Sequence, residues 1–395
     1  MVSEKMYALG SKRSEIRELF EYGKKRKAEI GDENVFDFSL GNPSVPAPDC
    51  VKNALAELVT NTDPVALHGY TSAQGDAQVR KACADYINNT HGTDYTADNF
   101  YMTCGAAASL TISLSALAED GNEVIVLAPY FPEYNVFIAQ AGMKAVEVKC
   151  REKDFQIDFD ALENAINKNT KAIIINSPNN PSGVVFSEET IKKLADMLSA
   201  AQDKFGSKIF IIADEPYREL VYDTTVTVPF IPNFYNNTIV CYSFSKSLSL
   251  PGERIGYILV PPKADNSEKL YFAVCGAGRS LGFVCAPSLF QKIVPQCIGK
   301  TSDISVYKKN RDILCAALTE YGFDVVKPDG AFYLFVKALE DSASAFCERA
   351  KKHELLLVPS DSFGFPGYVR ISYCVSTDMI ERSLPSFKAL SEEYK

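Results

Sequence analysis

Short apolar runs alternate with amphipathic stretches through the middle of the chain. EVIVLA (123–128), KAIIIN (171–176), KIFIIAD (208–214), TIVCYS (238–243) and GYILV (256–260) are rich in β-branched residues and lack a regular polar face. Strands of that kind are buried on both sides, in a sheet covered by helices. Between two of them, SEETIKKLADMLSAAQDKFG predicts a helix. Ser187 caps it, Glu188 and Glu189 fill its first turn, Ile191, Leu194 and Leu198 share one stripe, and Gly206 ends it. The alternation predicts an α/β fold whose large domain, residues 47–288, is a doubly wound, mostly parallel sheet. From 289 the pattern changes. The helical stretch SVYKKNRDILCAALTEYG precedes short strands such as FYLFVKA and YVRISYCV, which predicts a smaller α+β domain over 289–395. Residues 1–46 are expected to form an N-terminal arm packed with that smaller domain.

Composition narrows the function classes. The 395 residues carry a net charge of −9, so no basic surface is available for nucleic acid and no nucleic-acid partner is expected. No run of eighteen apolar residues occurs, so no membrane span is expected. The charged opening MVSEKMYALGSKRSEIRELF lacks an apolar signal core, and a cytoplasmic location is expected. Eleven cysteines without a Cys-x-x-Cys pair, and three histidines far apart, predict reduced thiols and no metal site.

In covered α/β sheets, ligands collect at the carboxyl ends of the strands. Asp214 ends one apolar run, where an unpaired carboxylate is costly. It either caps the next helix or holds a proton on a heteroaromatic nitrogen. Lys246 follows another run, in SFSKSLSLPGERIGY (243–257). Ser243-Phe244-Ser245-Lys246 fits the Ser-x-x-Lys of acyl-serine hydrolases, although no Lys-Thr-Gly element accompanies it. Lys246-Ser247 could end a P-loop, but Ser245 stands where that motif needs glycine. A lysine here can also hold an aldehyde as an imine, or simply snorkel from a strand end. Around it, Arg254 offers a planar fork for phosphate, and Ser243 and Ser245 offer hydroxyls. MTCGAAAS leads into a helix whose first residues, Gly105, Ala106 and Ala107, let an anion approach the backbone. Asn180 in NSPNNPSG and Tyr217 in ADEPY can donate to an oxygen, and Phe131 in APYFPEY can stack on a flat ring. Each also has an ordinary turn or core role.

An aldehyde, a phosphate, a ring nitrogen and a phenolic oxygen together describe pyridoxal 5′-phosphate. The chain resembles the class I aminotransferases, which are fold-type I pyridoxal-phosphate enzymes. The likeness rests on GYTSAQG, NSPNNPSG, ADEPY, SFSKSLSLPGERIGY and YVRIS, within a span from residue 41 to 372. It implies that Lys246 forms the imine and shuttles the proton, that Asp214 serves the ring nitrogen, and that Tyr217 and Asn180 contact the ring oxygen. Arg370 would grip the substrate α-carboxylate, with Gly41 near it. A homodimer with shared sites is implied, in which Tyr70 reaches the cofactor phosphate of the partner subunit. GAAAS departs from the family by lacking a threonine after the glycine, which removes one hydroxyl donor. The implied activity is ping-pong exchange of an amino group between an L-amino acid and a 2-oxo acid. Arg279, in CGAGRSLGFV, is expected in a glycine-flanked loop where a dicarboxylate-specific relative places an arginine that serves the partner subunit's site, which makes aspartate or glutamate the expected donor. A carbon–sulfur β-lyase on the same scaffold, and transfer from neutral or aromatic amino acids, are the alternatives.

Overall fold

The apolar runs become neighbours in one seven-stranded sheet. In chain order its strands are β1 (Phe100–Thr103), β2 (Glu123–Ala128), β3 (Lys144–Lys149), β4 (Thr170–Asn176), β5 (Phe210–Asp214), β6 (Thr238–Ser243) and β7 (Gly256–Leu259). In space they lie in the order β1-β7-β6-β5-β4-β2-β3. The computed structural model describes residues 2–11 and 15–395. Every residue of β1, β5, β6 and β7 is buried, which is why these runs show no polar alternation. β3 is the exception. It lies at an edge, only Val148 is buried, and its charged residues suit a strand with one side open to water.

Strands β2 to β6 are parallel, whereas β7 runs against both β6 and β1. The link between β6 and β7 is taken up by a one-turn helix, Phe244–Ser247, and a turn at Pro251–Glu253. With no crossover helix, the chain re-enters the sheet at the edge it left. The register then aligns the strand ends. Asn176 lies opposite Asp214, Asp214 opposite Cys241, and Ser243 and Thr103 both opposite Gly256.

The Glu188–Phe205 helix forms as its sequence predicts. The Ser187 Oγ accepts from the Thr190 N–H at 3.1 Å, and Gly206 closes it in the left-handed region at φ 68°. Ile191, Leu194 and Leu198 are buried against the sheet core. Each such side chain stabilises the fold by about 1.5–3 kcal/mol through lost contact with water.

A second core forms around the antiparallel strands Tyr333–Lys337, Val358–Pro359 and Tyr368–Ser372. Leu314 and Leu318 of one helix and Ile380, Phe387 and Leu390 of another pack into it. Phe36, Phe38 and Val45 join them, and residues 36–37 pair in parallel with 355–356. Tyr217 and Leu220, just past β5, also belong to this core. The exit of the large sheet therefore runs directly into the smaller core, and the seam between them carries the polar strand ends. Among the described residues, no helix is long and apolar enough to cross a membrane.

Candidate active site

Asp214 is the last residue of β5 and is buried. The chain after it turns instead of starting a helix, so Asp214 caps nothing. Its Oδ2 accepts from the Tyr134 hydroxyl at 2.5 Å and from Asn176 Nδ2 at 3.5 Å, while its backbone oxygen accepts from the same Nδ2 at 2.9 Å. Its Oδ1 is buried with no partner among the described residues. Burial lifts the carboxyl to about 7, with the Tyr134 hydrogen bond opposing and Glu215 adding to the rise.

On the next strand, Ser243 caps the short helix that carries Lys246. The Ser243 Oγ accepts from the Ser245 N–H at 3.2 Å and shares a 2.7 Å hydrogen bond with the Ser245 hydroxyl. Lys246 Nζ donates instead to the Gly41 carbonyl at 2.7 Å. A serine so engaged is not paired with the lysine, and the acyl-serine arrangement is absent. Burial draws the Lys246 ammonium down to about 8, against an opposing pull from Cys374 and with a push from Arg254 and Arg370.

Arg254 stands just before β7 in the left-handed region at φ 52°. Its Nη1 donates to the Pro251 carbonyl at 3.0 Å and lies 3.5 Å from the Ser245 Oγ. Gly105, at φ 85°, leads the Ala106–Leu117 helix, and a Cβ there would sit 2.9 Å from Arg254 Nη2. The glycine thus lets the guanidinium lie against a helix N-terminus, and both point their positive ends at one place.

The smaller core supplies the opposite wall. Arg370 is 2% exposed; its Nη2 donates to the Ser39 carbonyl at 2.6 Å and its Nη1 to Asn180 Oδ1 at 3.2 Å. Its Nε is buried without a partner among the described residues. The guanidinium lies over the Tyr333 ring at 4.8 Å and the Phe363 ring at 5.1 Å. The Tyr217 and Tyr333 hydroxyls are 3.0 Å apart. Asp214, Lys246, Arg254, Tyr217, Tyr333 and Arg370 face a cavity of about 290 Å³, which Gly41, Ala106, Ala107, Phe131 and Ile16 help to line. Three cations against one carboxylate suit an anionic ligand.

Residues 33–387 match the model of the class I and II aminotransferase family. The chain belongs to that family. A crystal structure of an aminotransferase from Eubacterium rectale is 61% identical, covers 100% of this chain and 99% of its own, and superposes with a TM-score of 0.98. The aspartate aminotransferase of Pyrococcus horikoshii is 32% identical over 97% of this chain and 96% of its own length. Aromatic-amino-acid aminotransferase 2 of Thermococcus litoralis is 28% identical over 97% and 96%. Aminotransferases of this class work with pyridoxal 5′-phosphate, and the fold is that of the fold-type I enzymes.

Two of the aminotransferase positions read from sequence lie away from this cavity. Tyr70 is 100% exposed and does not reach the cavity of its own chain. Arg279 corrects an expectation. It is exposed in the last turn of the Ser267–Ser280 helix, not in a loop, and like Tyr70 it does not line the cavity of its own chain. Its flanking Gly278 is not loop punctuation. That glycine lets the helix press on Tyr101, whose hydroxyl a Cβ there would meet. Conversely, Tyr134, Asn176, Tyr333 and Ile16 belong to the site and were not singled out. Tyr134 lies three residues past Phe131, and Asn176 opens the motif from which Asn180 was chosen. Tyr333 sits in a strand pattern that reads as ordinary core, and Ile16 in the charged opening stretch.

Proposed function

We infer that this aminotransferase holds pyridoxal 5′-phosphate at Lys246 and exchanges amino groups between an L-amino acid and a 2-oxo acid. The observation that carries the reading is the unpartnered Oδ1 of Asp214, buried at a strand end beside a buried lysine. A protonated ring nitrogen is the group that would satisfy it. The remaining polar groups fit the same ligand: Arg254, Ser243, Ser245 and the 105–107 helix start for the phosphate, Tyr217 and Asn180 for the ring oxygen, and Phe131 for the ring face. When bound, the cofactor supplies a protonated conjugated ring that withdraws electrons from the substrate α-carbon.

The chain's own residues supply orientation and proton transfer. Lys246, drawn to about 8, has a neutral fraction at neutral pH and can take the α-proton. Asp214 keeps the ring nitrogen protonated, and Tyr134 with Asn176 fixes its orientation. Burial holds the Tyr217 hydroxyl well above its ordinary value, so it acts as a donor. Arg370 takes the α-carboxylate through a planar fork that lysine cannot reproduce. The two hydrophobic cores support a large and a smaller part, with the N-terminal residues joined to the smaller, but Ile293, Val294 and Cys297 pack in the larger core, which moves the boundary from 288 to after the Ser288–Cys297 helix. The full exposure of Tyr70 supports a homodimer in which it serves the other subunit's site.

Relatives named for aspartate support aspartate or glutamate as donor. A second reading, a neutral or aromatic donor, is favoured by Leu40, Phe131 and Ile16 in the cavity wall. One experiment tests the site and separates the donors. Borohydride reduction of the purified protein should fix a cofactor to Lys246, and a survey of amino acids should convert the bound form without net ammonia release. Label on another lysine overturns the site, and stoichiometric ammonia and pyruvate mark a β-lyase. In the same survey, Arg279→Ala should lower efficiency on aspartate or glutamate about tenfold while sparing aromatic donors; equal behaviour on all donors selects the second reading.

A further inference from the structure

Tyr333 opens an edge strand of the smaller sheet, next to the central strand that carries Arg370, and is 3% exposed. Its neighbours on that strand pair with the Arg370 strand, with Phe335 opposite Arg370 and Tyr333 opposite Ser372. Residues two apart on a strand share a face, so Tyr333 and Arg370 are diagonal neighbours on one side of the sheet. Three contacts converge on this one side chain. Its ring lies under the Arg370 guanidinium at 4.8 Å. Its hydroxyl is 3.0 Å from the Tyr217 hydroxyl. The Gly41 backbone is pressed so close that a Cβ there would run into the Tyr333 hydroxyl, and the Gly41 carbonyl is the one that holds Lys246.

We propose that Tyr333 is a positioning residue that ties Tyr217, on the cofactor side, to Arg370, on the substrate side, so that one side chain sets both halves of the site. This rests on the cofactor reading above. The two functions of Tyr333 reside in different atoms. Either hydroxyl of the pair can donate; once the Tyr217 proton is directed to the ring oxygen, the Tyr333 hydroxyl is left to donate to the Tyr217 oxygen, which polarises the Tyr217 O–H and strengthens what Tyr217 donates onward. A firmer donor at the ring oxygen stabilises that oxygen's anionic form and lowers the proton affinity of the neighbouring imine nitrogen. Its ring face holds the guanidinium flat by cation–π attraction and leaves the fork aimed into the cavity.

Tyr333→Phe and Tyr333→Leu separate these roles. The phenylalanine variant keeps the ring and loses the hydroxyl. The pH midpoint of the bound cofactor's absorbance should move up by on the order of half a unit, with kcat reduced and KM for the 2-oxo acid kept within about twofold. The leucine variant should show the same spectral shift and a KM raised about tenfold. Urea midpoints of both variants report any general loss of folding. An unmoved absorbance midpoint in Tyr333→Phe, or an unchanged KM in Tyr333→Leu, overturns the proposal. If the wild-type protein shows no cofactor absorbance, the cofactor reading fails first. Thermal stabilisation by the 2-oxo acid, compared between wild type and Tyr333→Leu, then decides the Arg370 contact alone.

Discussion

The two walls of the cavity are built in different ways. The wall from the large sheet is made of strand ends, and each contribution is a short contiguous stretch: Asp214 on β5, Ser243 to Lys246 after β6, Arg254 before β7, and Gly105 to Ala107 after β1. Its geometry follows from register, because pairing in the sheet sets those ends side by side. The wall from the smaller core is assembled over long distances in sequence. Tyr333 and Arg370 are set by strand pairing, but Ser39 to Gly41 reach them only through tertiary packing, and the carbonyls of Ser39 and Gly41 accept from Arg370 and Lys246. A wall fixed by a buried sheet is rigid. The contacts that the second wall makes to the 39–41 loop change when the side chains concerned find other partners. The first wall suits a resident cofactor, and the second suits substrates that come and go.

The largest effect that would test this contrast is on the strand-end wall. Asp214→Ala should retain some cofactor yet slow the half-reaction by about a thousandfold or more, or ~4 kcal/mol. Rapid-mixing absorbance measures it. A near-native rate would mean that the buried carboxylate only braces Tyr134 and Asn176.

The next effect belongs to the opposite wall. Arg370→Lys keeps the charge and loses the planar fork, so kcat/KM should fall by about a hundredfold, or ~2.7 kcal/mol. The loss should fall mainly on KM, and the cofactor's absorbance should not change. A spectral change of the size seen in Asp214→Ala would show that the two walls do not divide their tasks.

A smaller effect is readable in stability of the cofactor-free protein. The Asp214 carboxyl is raised from 3.8 to about 7 by burial, so the folded state holds this proton more tightly than the unfolded one. Its contribution is complete below the unfolded value and is lost as pH rises through about 7. Lys246, lowered from 10.5 to about 8, acts oppositely and at higher pH: its contribution is present above 10.5 and is lost as pH falls through about 8. Between pH 5 and 7, Asp214→Asn should therefore remove a decline of about 1 kcal/mol per pH unit relative to wild type. Urea midpoints at several pH values measure it, and parallel wild-type and variant curves would contradict the burial cost.

The same contrast explains what could be read from sequence. The strand-end residues stood out because each follows an apolar run that gives a lysine, an aspartate or a glycine no reason to be there. The direction of β7 was not legible, since a buried strand has the same apolar pattern whichever way it runs. β3 escaped notice because its charged edge dilutes the apolar signal. Tyr333 was hidden by chemistry that it shares with its neighbours: in FYLFVKA, an aromatic at a strand position reads as packing. Arg279 was misplaced because Gly276 and Gly278 look like loop residues, while close packing on Tyr101 is what requires the second.

The reversal at β7 has one more consequence. In a parallel connection, the next strand would return to the sheet at its far edge, and a group before it would lie a full strand length from Lys246. Because the chain turns back at once, the amine at 246 and the guanidinium at 254 ride on a single hairpin whose two stems are paired at Ser243 and Gly256. Their separation is a local property of that hairpin and does not depend on how the smaller core sits. The pair is in effect a caliper of fixed span, and the molecule can tilt or resurface its substrate wall without resetting the distance between the point of covalent attachment and the anion grip.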